Sequence, residues 1–241
     1  MMLFQKTDDF CSFVLRRSTD KVLYIIEHIP SHYKEFFIIK NDKNGNPRKN
    51  KDKYVLQFGL YWTRTIDAPS RELKYIQSKI NKYLVENIKM PEYAYGGVKG
   101  KDNIVNALRH KGIKYVFQTD IKDFFPFITN KMVYNMLVHN GFSPDVASVI
   151  TKLVTYKGHL PQGSPASTTI ANLVFVPVGI RLQQFAEDNK LRFTTFVDDV
   201  TISSQTDFKH IVPDILEIIT TGGFKISQQK TTYKSGIKEI T

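Results

Sequence analysis

Apolar positions recur at helical spacing through several stretches of this chain. Leu15, Val22, Leu23, Ile25, Ile26 and Ile29 predict one buried helical face over residues 7 to 29, closed by Pro30. Leu73, Ile76, Ile80 and Leu84 do the same for a helix over 70 to 88, introduced by Pro69. A shorter amphipathic segment over 102 to 111 stops at Gly112. Thr129 is placed to cap a helix over 130 to 140, which ends at Gly141. Ser143-Pro144-Asp145 has the cap-then-proline order for another helix, ending near Gly158. Ser164-Pro165 repeats that order before a long helix to about Asn189, with Pro177 inside it as an expected kink. A further helix is expected over about 208 to 219.

Between these lie short aromatic and β-branched runs. Tyr33 to Lys40 and Tyr54 to Ile66 predict strands, the second carrying Trp62 and Arg64. The polar, turn-rich and basic stretch Asn41 to Lys53 joins them as the tip of a projecting hairpin. Tyr115 to Ile121 predicts a buried strand ending in an acid, Asp120. Phe193 to Val197 and Val200 to Ser204 predict a tight antiparallel pair that reverses at Asp198-Asp199. A short strand is expected over Phe224 to Ser227, after Gly222-Gly223. Irregular alternation with one clear antiparallel pair favours α+β, a small antiparallel sheet backed by helices, over a doubly wound parallel fold. The chain has no phosphate-binding Gly-x-Gly-x-x-Gly or Gly-x-x-x-x-Gly-Lys motif, no internal repeat and no linker composition.

At 241 residues the chain is long enough for a sizeable core, and 41% hydrophobic with 24% charged residues is ordinary. The charge balance is not: 34 Lys and Arg against 23 Asp and Glu leave +11. That surplus suggests a polyanionic partner, nucleic acid before membrane, since no basic amphipathic helix stands out. A merely basic surface remains the plainer alternative. One cysteine, Cys11, excludes an intrachain disulfide and a Cys-based zinc site. Neither a signal-peptide pattern nor an apolar run of membrane-spanning length is seen, so the expectation is a cytoplasmic protein without a membrane partner.

Asp198-Asp199 by itself reads as an ordinary acidic turn. Asp120, at the end of another expected buried strand, changes that reading. If the strands are neighbours, three carboxylates converge, and their mutual repulsion raises their pKa values. A divalent cation relieves it, and Mg²⁺ prefers oxygen ligands while keeping positions open for water and phosphates.

Thr119-Asp-Ile-Lys-Asp-Phe-Phe-Pro126, Leu160-Pro-Gln-Gly-Ser-Pro-Ala-Ser167 and Phe196-Val-Asp-Asp199, in that order, resemble motifs A, B and C of reverse transcriptases. Arg64-Thr-Ile-Asp-Ala-Pro69 with Leu73-Lys74, and Asn106-Ala-Leu-Arg-His110, match upstream stretches. Gly223-Phe-Lys-Ile-Ser-Gln-Gln-Lys-Thr231 lies where motif D lies. The set is similar to bacterial reverse transcriptases of the retron and phage-defence branches, with group II intron enzymes more distant. The resemblance implies a right-hand polymerase: fingers over residues 1–112 with the basic hairpin, and a palm over 113–241. Motif A falls at 119–126, B at 160–172, C at 196–199 and D at 223–231.

For the site, the resemblance implies that Asp120 and Asp198 bridge two Mg²⁺ ions, with the Ile121 carbonyl a further ligand and Asp199 a supporting acid. Phe125 matches the aromatic gate that excludes a ribose 2′-hydroxyl and so selects dNTP. Backbone amides around Asp123 and Phe124 would face the triphosphate. The plain alternative for both rings is core packing, favoured for Phe124. Gln162 would lie against the incoming nucleotide, and Gly163 would let backbone approach the substrate closely. Arg64 resembles the arginine that grips the triphosphate, with Lys74 and Lys99 as weaker phosphate contacts. Lys230 matches a lysine that protonates departing pyrophosphate, though a surface lysine on a basic tail reads equally well.

The function implied is RNA-directed DNA synthesis on an RNA template from a DNA or RNA primer, in a retron or anti-phage system with a structured noncoding RNA. Two departures stand out. Motif C begins with Phe196 where most relatives carry Tyr, so altered primer contacts are expected. The chain stops at Ile240-Thr241, where the primer grip and thumb would follow. The expectation is therefore a thumb missing or truncated, or completed by a partner protein. The alternatives are a nucleic-acid-binding scaffold of the same fold, which the missing thumb motivates, and an RNA-dependent RNA polymerase, which Phe125 argues against.

Overall fold

The computed structural model describes residues 4–39, 41, 45–46 and 63–235. Most of the expected basic hairpin tip, residues 54–62 of the expected second strand with Trp62, and residues 236–241 lie outside the described residues.

The expected first helix is broken in two. A short helical start, Thr7–Asp9, passes into a π-type turn, Phe10–Leu15, and Arg16 then takes φ +58°. Ser18 restarts the chain as α1 (Thr19–Glu27) by accepting from the Lys21 N–H. The break rotates the apolar faces. Phe10, Cys11 and Leu15 are buried, as are Val22 and Ile25, but Leu23 faces outward.

β1 (Tyr33–Ile39) pairs antiparallel with β2 (Thr63–Pro69). Ser70 caps α2 (Arg71–Asn87), which buries Leu73, Ile76, Ile80 and Leu84 as the spacing predicts. Asp102 caps α3 (Asn103–Arg109), a helix with no buried residue. β3 (Tyr115–Asp120) leads into a one-turn helix, Phe124–Phe127, and then α4 (Asn130–His139) and α5 (Pro144–Val154). Thr129 and Ser143 cap these two helices as expected. α5 stops at Val154, short of Gly158. α6 (Ser167–Asp188) begins three residues after Ser164 and runs through Pro177. Ser164 serves a turn instead, its Oγ accepting from the Ala166 N–H at 3.3 Å.

β4 (Arg192–Phe196) and β5 (Asp199–Ser204) form the hairpin, followed by α7 (Val212–Thr221). The expected strand over 224–227 is a single bridge, Ile121 to Ile226, and the regular strand is β6 (Thr232–Ser235). The slip is understandable: Thr232 to Ser235 offers little apolar alternation, and its pairing partner comes from far away in sequence. The sheet has the order β4-β5-β3-β6 and is antiparallel throughout, the α+β arrangement expected.

One apolar core runs from Phe10 through Ile80 and Leu153 to Phe224. Polar groups fasten the β1–β2 pair to it. Gln77, fully buried, donates to the Tyr33 hydroxyl at 2.8 Å and to the Leu153 carbonyl at 2.9 Å. Tyr33 stacks on Tyr156 at 4.3 Å, and Lys157 pairs with Glu35 at 2.9 Å.

On α6, Gly179 faces Tyr93 so closely that a Cβ there would overlap the Tyr93 hydroxyl and ring. Gly179→Ala is expected to cost about 1–3 kcal/mol by overpacking, measured as a lower urea midpoint at unchanged m-value. An unchanged midpoint would show that Tyr93 has room to move.

Candidate active site

Strand register builds the site. β3 and β5 pair so that Asp120 stands opposite Asp199. The Ile121 N–H donates to the Asp198 carbonyl at 2.8 Å, continuing that ladder past the strand end. On the other side the Ser227 N–H donates to the Asp120 carbonyl at 2.8 Å. The acid of motif A and both acids of motif C therefore arrive at the same end of neighbouring strands.

The reversal lies one residue earlier than expected. Phe196 pairs with Asp199, which leaves Val197-Asp198 as the two-residue turn. Val197 sits at φ +59°, a left-handed conformation that is a true outlier for a β-branched residue. Such strain costs on the order of 1–3 kcal/mol and persists only where surroundings enforce it. Here the segment Tyr93 to Gly96 does so. Thr195 N–H donates to the Tyr93 carbonyl at 2.8 Å, and Tyr95 N–H to the Thr195 carbonyl at 2.9 Å. A Cβ on Gly96 would lie 2.5 Å from Val197 Cγ2 and 2.6 Å from its nitrogen, so only glycine fits under the turn. Buried Asn172 of α6 holds Gly96 in place, Nδ2 to carbonyl at 2.8 Å.

The electrostatics follow from this crowding. Burial pushes the Asp198 carboxyl above its usual range. Its own backbone hydrogen bond opposes this, Asp120 adds to it, and Lys230 and Arg64 offset it. Asp199 is pushed up to about 6, by burial first and then by Asp198 and Asp120, against Lys230. Asp120 itself is 6% exposed and ion-paired to Lys230, whose ammonium reaches in from the surface. Among the described residues no three His, Cys, Asp or Glu side chains form a ready-made metal-holding group. The donor chemistry nonetheless suits a hard divalent cation: all-oxygen, anionic and mutually repelling carboxylates on rigid strands.

The remaining candidates fall around this point unequally. Arg64, exposed on β2, is close enough to lower the Asp198 pKa. Asp123 takes φ +52° and heads the one-turn helix, exposed. Phe124 is a core residue, packed edge-on to Phe175 at 6.0 Å and tilted to Phe224 at 5.8 Å. Phe125 is half-buried. The Gln162 carbonyl accepts from the Asp67 N–H of β2 at 2.8 Å. Gly163, at φ +129°, lies against that same strand, where a Cβ would sit 2.7 Å from the Asp67 carbonyl oxygen. The close backbone approach at Gly163 is thus to β2, the strand bearing Arg64.

Several supporting residues escape sequence reasoning. Gly96 and Asn172 matter only through the turn they hold, and Asp67, 4% exposed, is buried at the junction of β2 and motif B. His110 bridges the hairpin strands, its Nδ1 2.6 Å from Ser203 Oγ and its Nε2 2.8 Å from Thr194 Oγ1. Arg192 donates to the carbonyls on either side of it, Arg109 at 3.0 Å and Lys111 at 3.3 Å. The stretch 106–110 was singled out by resemblance, but no local pattern reveals that its last residue clamps two distant strands.

Comparison with known proteins bears on this geometry. A family described as reverse transcriptase (RNA-dependent DNA polymerase) matches residues 49–240. The chain is 33% identical over 171 residues to the Retron Ec86 reverse transcriptase of Escherichia coli, covering 70% of this chain and 53% of that protein. It is 31% identical over 230 residues to the Retron Se72 reverse transcriptase of Salmonella heidelberg, covering 93% of this chain and 56% of that protein. The Retron Mx162 reverse transcriptase of Myxococcus xanthus is 27% identical over 198 residues, 70% of this chain and 41% of its own. The chain spans about half the length of these curated relatives.

Burial, then the charges of Arg192 and Arg109, lowers the His110 pKa to about 4. The ring is therefore neutral in the fold, while in the unfolded chain it titrates near 6.5. As pH falls from about 6.5 to 4 the unfolded state takes up a proton that the fold refuses, and up to roughly 3 kcal/mol of stability is lost. In urea titrations from pH 7 to 4, His110→Gln should lower stability at pH 7 and flatten its decline towards pH 4. Parallel pH profiles for the two proteins would remove His110 as the titrating group.

Proposed function

Because this chain belongs to the reverse transcriptase family, we propose that it is the fingers and palm of an RNA-directed DNA polymerase, adding dNTPs to a primer hydroxyl on an RNA template. The observation that carries this reading is the pairing of Asp120 with Asp199 across β3 and β5, with Asp198 in the turn between β4 and β5. In this reading residues 1–112 are the fingers and 113–241 the palm. The retron relatives support a place in a retron; an anti-phage role, a structured noncoding RNA as template and a cytoplasmic setting belong to the same proposal. Among the described residues no helix is long and apolar enough to cross a membrane.

Asp120 and Asp198 would hold two Mg²⁺ ions, with the Ile121 carbonyl as a further ligand and Asp199 in support. When bound, such ions stabilise charge on the transferring phosphoryl group and lower the pKa of the attacking hydroxyl. The protein's own groups do the rest. Arg64 offers a guanidinium fork to the triphosphate oxygens. It is tethered through β2 to Gln162, which lies against the base of the incoming nucleotide. The turn headed by Asp123 presents backbone N–H groups to the phosphates, and Phe124 anchors that turn in the core. Phe125 fills the space a 2′-hydroxyl would need. Lys230, beside Asp120, supplies the proton to departing pyrophosphate.

Asp198→Ala should reduce Mg²⁺-dependent dNTP incorporation on a primed RNA template by 10³-fold or more, with the fold retained by circular dichroism. Equal incorporation by the variant would sink the polymerase assignment and leave the scaffold reading. Phe125→Ala should raise rNTP use relative to dNTP by at least tenfold, read from kcat/KM for each. A ratio that does not move would remove Phe125 as the sugar gate.

A further inference from the structure

Between α7 and the turn that follows β3 lies an open groove of about 870 Å³ that the polymerase reading leaves unused. Leu216 and Thr220 of α7 line it, with Lys122 and the segment that runs from Gly223 through Ile226 to Thr231. Main chain holds that segment against motif A. The Lys122 N–H donates to the Lys225 carbonyl at 2.8 Å, and Ile121 bridges to Ile226. Thr231 Oγ1 lies 2.8 Å from Thr119 Oγ1. Phe224, 3% exposed, packs inward on Phe124, Phe127 and Phe175, so the apolar part of the groove is continuous with the core. Above Gly223 the space is open, and a Cβ there would meet nothing within 4 Å.

The lining combines two chemistries. Lys122 and Lys225, both exposed, are brought together by their backbone bond, and among the described residues neither ammonium has an ion-pair partner. Asp123 and Glu217 are exposed chain neighbours of Lys122 and Leu216, yet no carboxylate lines the groove among the described residues. Beside the lysines, half-buried Leu216 and Ile226 leave apolar surface uncovered. We propose that the groove binds a small amphipathic anion, an organic carboxylate, sulfonate or phosphate ester with an apolar body. The two ammoniums take the anionic head, which relieves their mutual repulsion. The apolar body covers Leu216, Phe224 and Ile226, with Thr220 and Gln228 as polar groups at the rim. Free phosphate would gain nothing from the apolar wall, and the Lys122 N–H that could join a phosphate cradle is spent on Lys225. A polynucleotide needs cations spaced along a strand, whereas these two share one spot. The site does not depend on the polymerase reading, although its wall leads directly to Lys230, the partner of Asp120.

The test uses the whole protein with anilinonaphthalene sulfonate, an aryl anion that fluoresces in apolar surroundings, and with its neutral relative N-phenylnaphthylamine. One sulfonate is expected to bind per chain, at least tenfold more tightly than the neutral amine. Lys122→Gln with Lys225→Gln should weaken the sulfonate tenfold or more, since both charge-assisted contacts are lost. Thr220→Glu, at an exposed position, should weaken it too by setting a like charge beside the head. These are surface changes, and an unaltered urea midpoint shows that each variant keeps its fold. Decanoate should displace the sulfonate, while inorganic pyrophosphate at the same concentration should not. Both variants binding within twofold of wild type would overturn the site. So would equal binding of the neutral amine, or displacement by pyrophosphate as readily as by decanoate, which would give the lysines to polyphosphate instead.

Discussion

Everything at the site depends on the register of β3 against β5. With Asp120 opposite Asp199 and the Ile121 N–H on the Asp198 carbonyl, three carboxylates are brought together by backbone hydrogen bonds. A slip of one residue would turn every side chain of β3 to the other face and scatter the acids. Burial first, and then repulsion among them, raises the pKa values of Asp198 and Asp199 and opposes that register. What holds it is burial: Phe117, Ile121, Val200 and Ile202 are all essentially inaccessible.

The turn that carries Asp198 is held from outside the hairpin. Gly96 lies beneath strained Val197, Asn172 fixes Gly96, and His110 ties β4 to β5 behind it. The same device recurs where β2 meets motif B, as Gly163 lets the backbone of Asp67 close on Gln162. In both places a glycine allows two backbones to touch, and the contact sets the position of a charged side chain a few residues away.

Much of this was legible beforehand. Caps at Thr129 and Ser143, the buried face of α2 and the α+β class follow from local rules that operate within a turn or two of helix. The acids were legible by company and order, since Asp120, Gln162 and Asp198-Asp199 sit in motifs whose sequence can be read directly. Where reading fell short, the deciding partner was distant. The break at Arg16, which splits the first helix, comes from a left-handed residue with no glycine to announce it. β6 is a strand because β3 offers it an edge, and its own pattern is weak. The reversal at Val197-Asp198 depends on Gly96, a hundred residues upstream.

The chain alone, then, determined which residue types are available: hard oxygen donors, an aromatic two residues past Asp123, a basic surplus and the helices that carry them. These are properties of composition, period and order, and each is expressed over a few residues. Tertiary structure alone decided that Asp199 is the first residue of β5 opposite Asp120, that Lys230 reaches Asp120, and that Gly163 meets β2. It also made His110 a neutral clamp. Such relations are set by packing, because a side chain's partner is chosen by which surfaces must be buried together, and sequence separation carries no record of that choice.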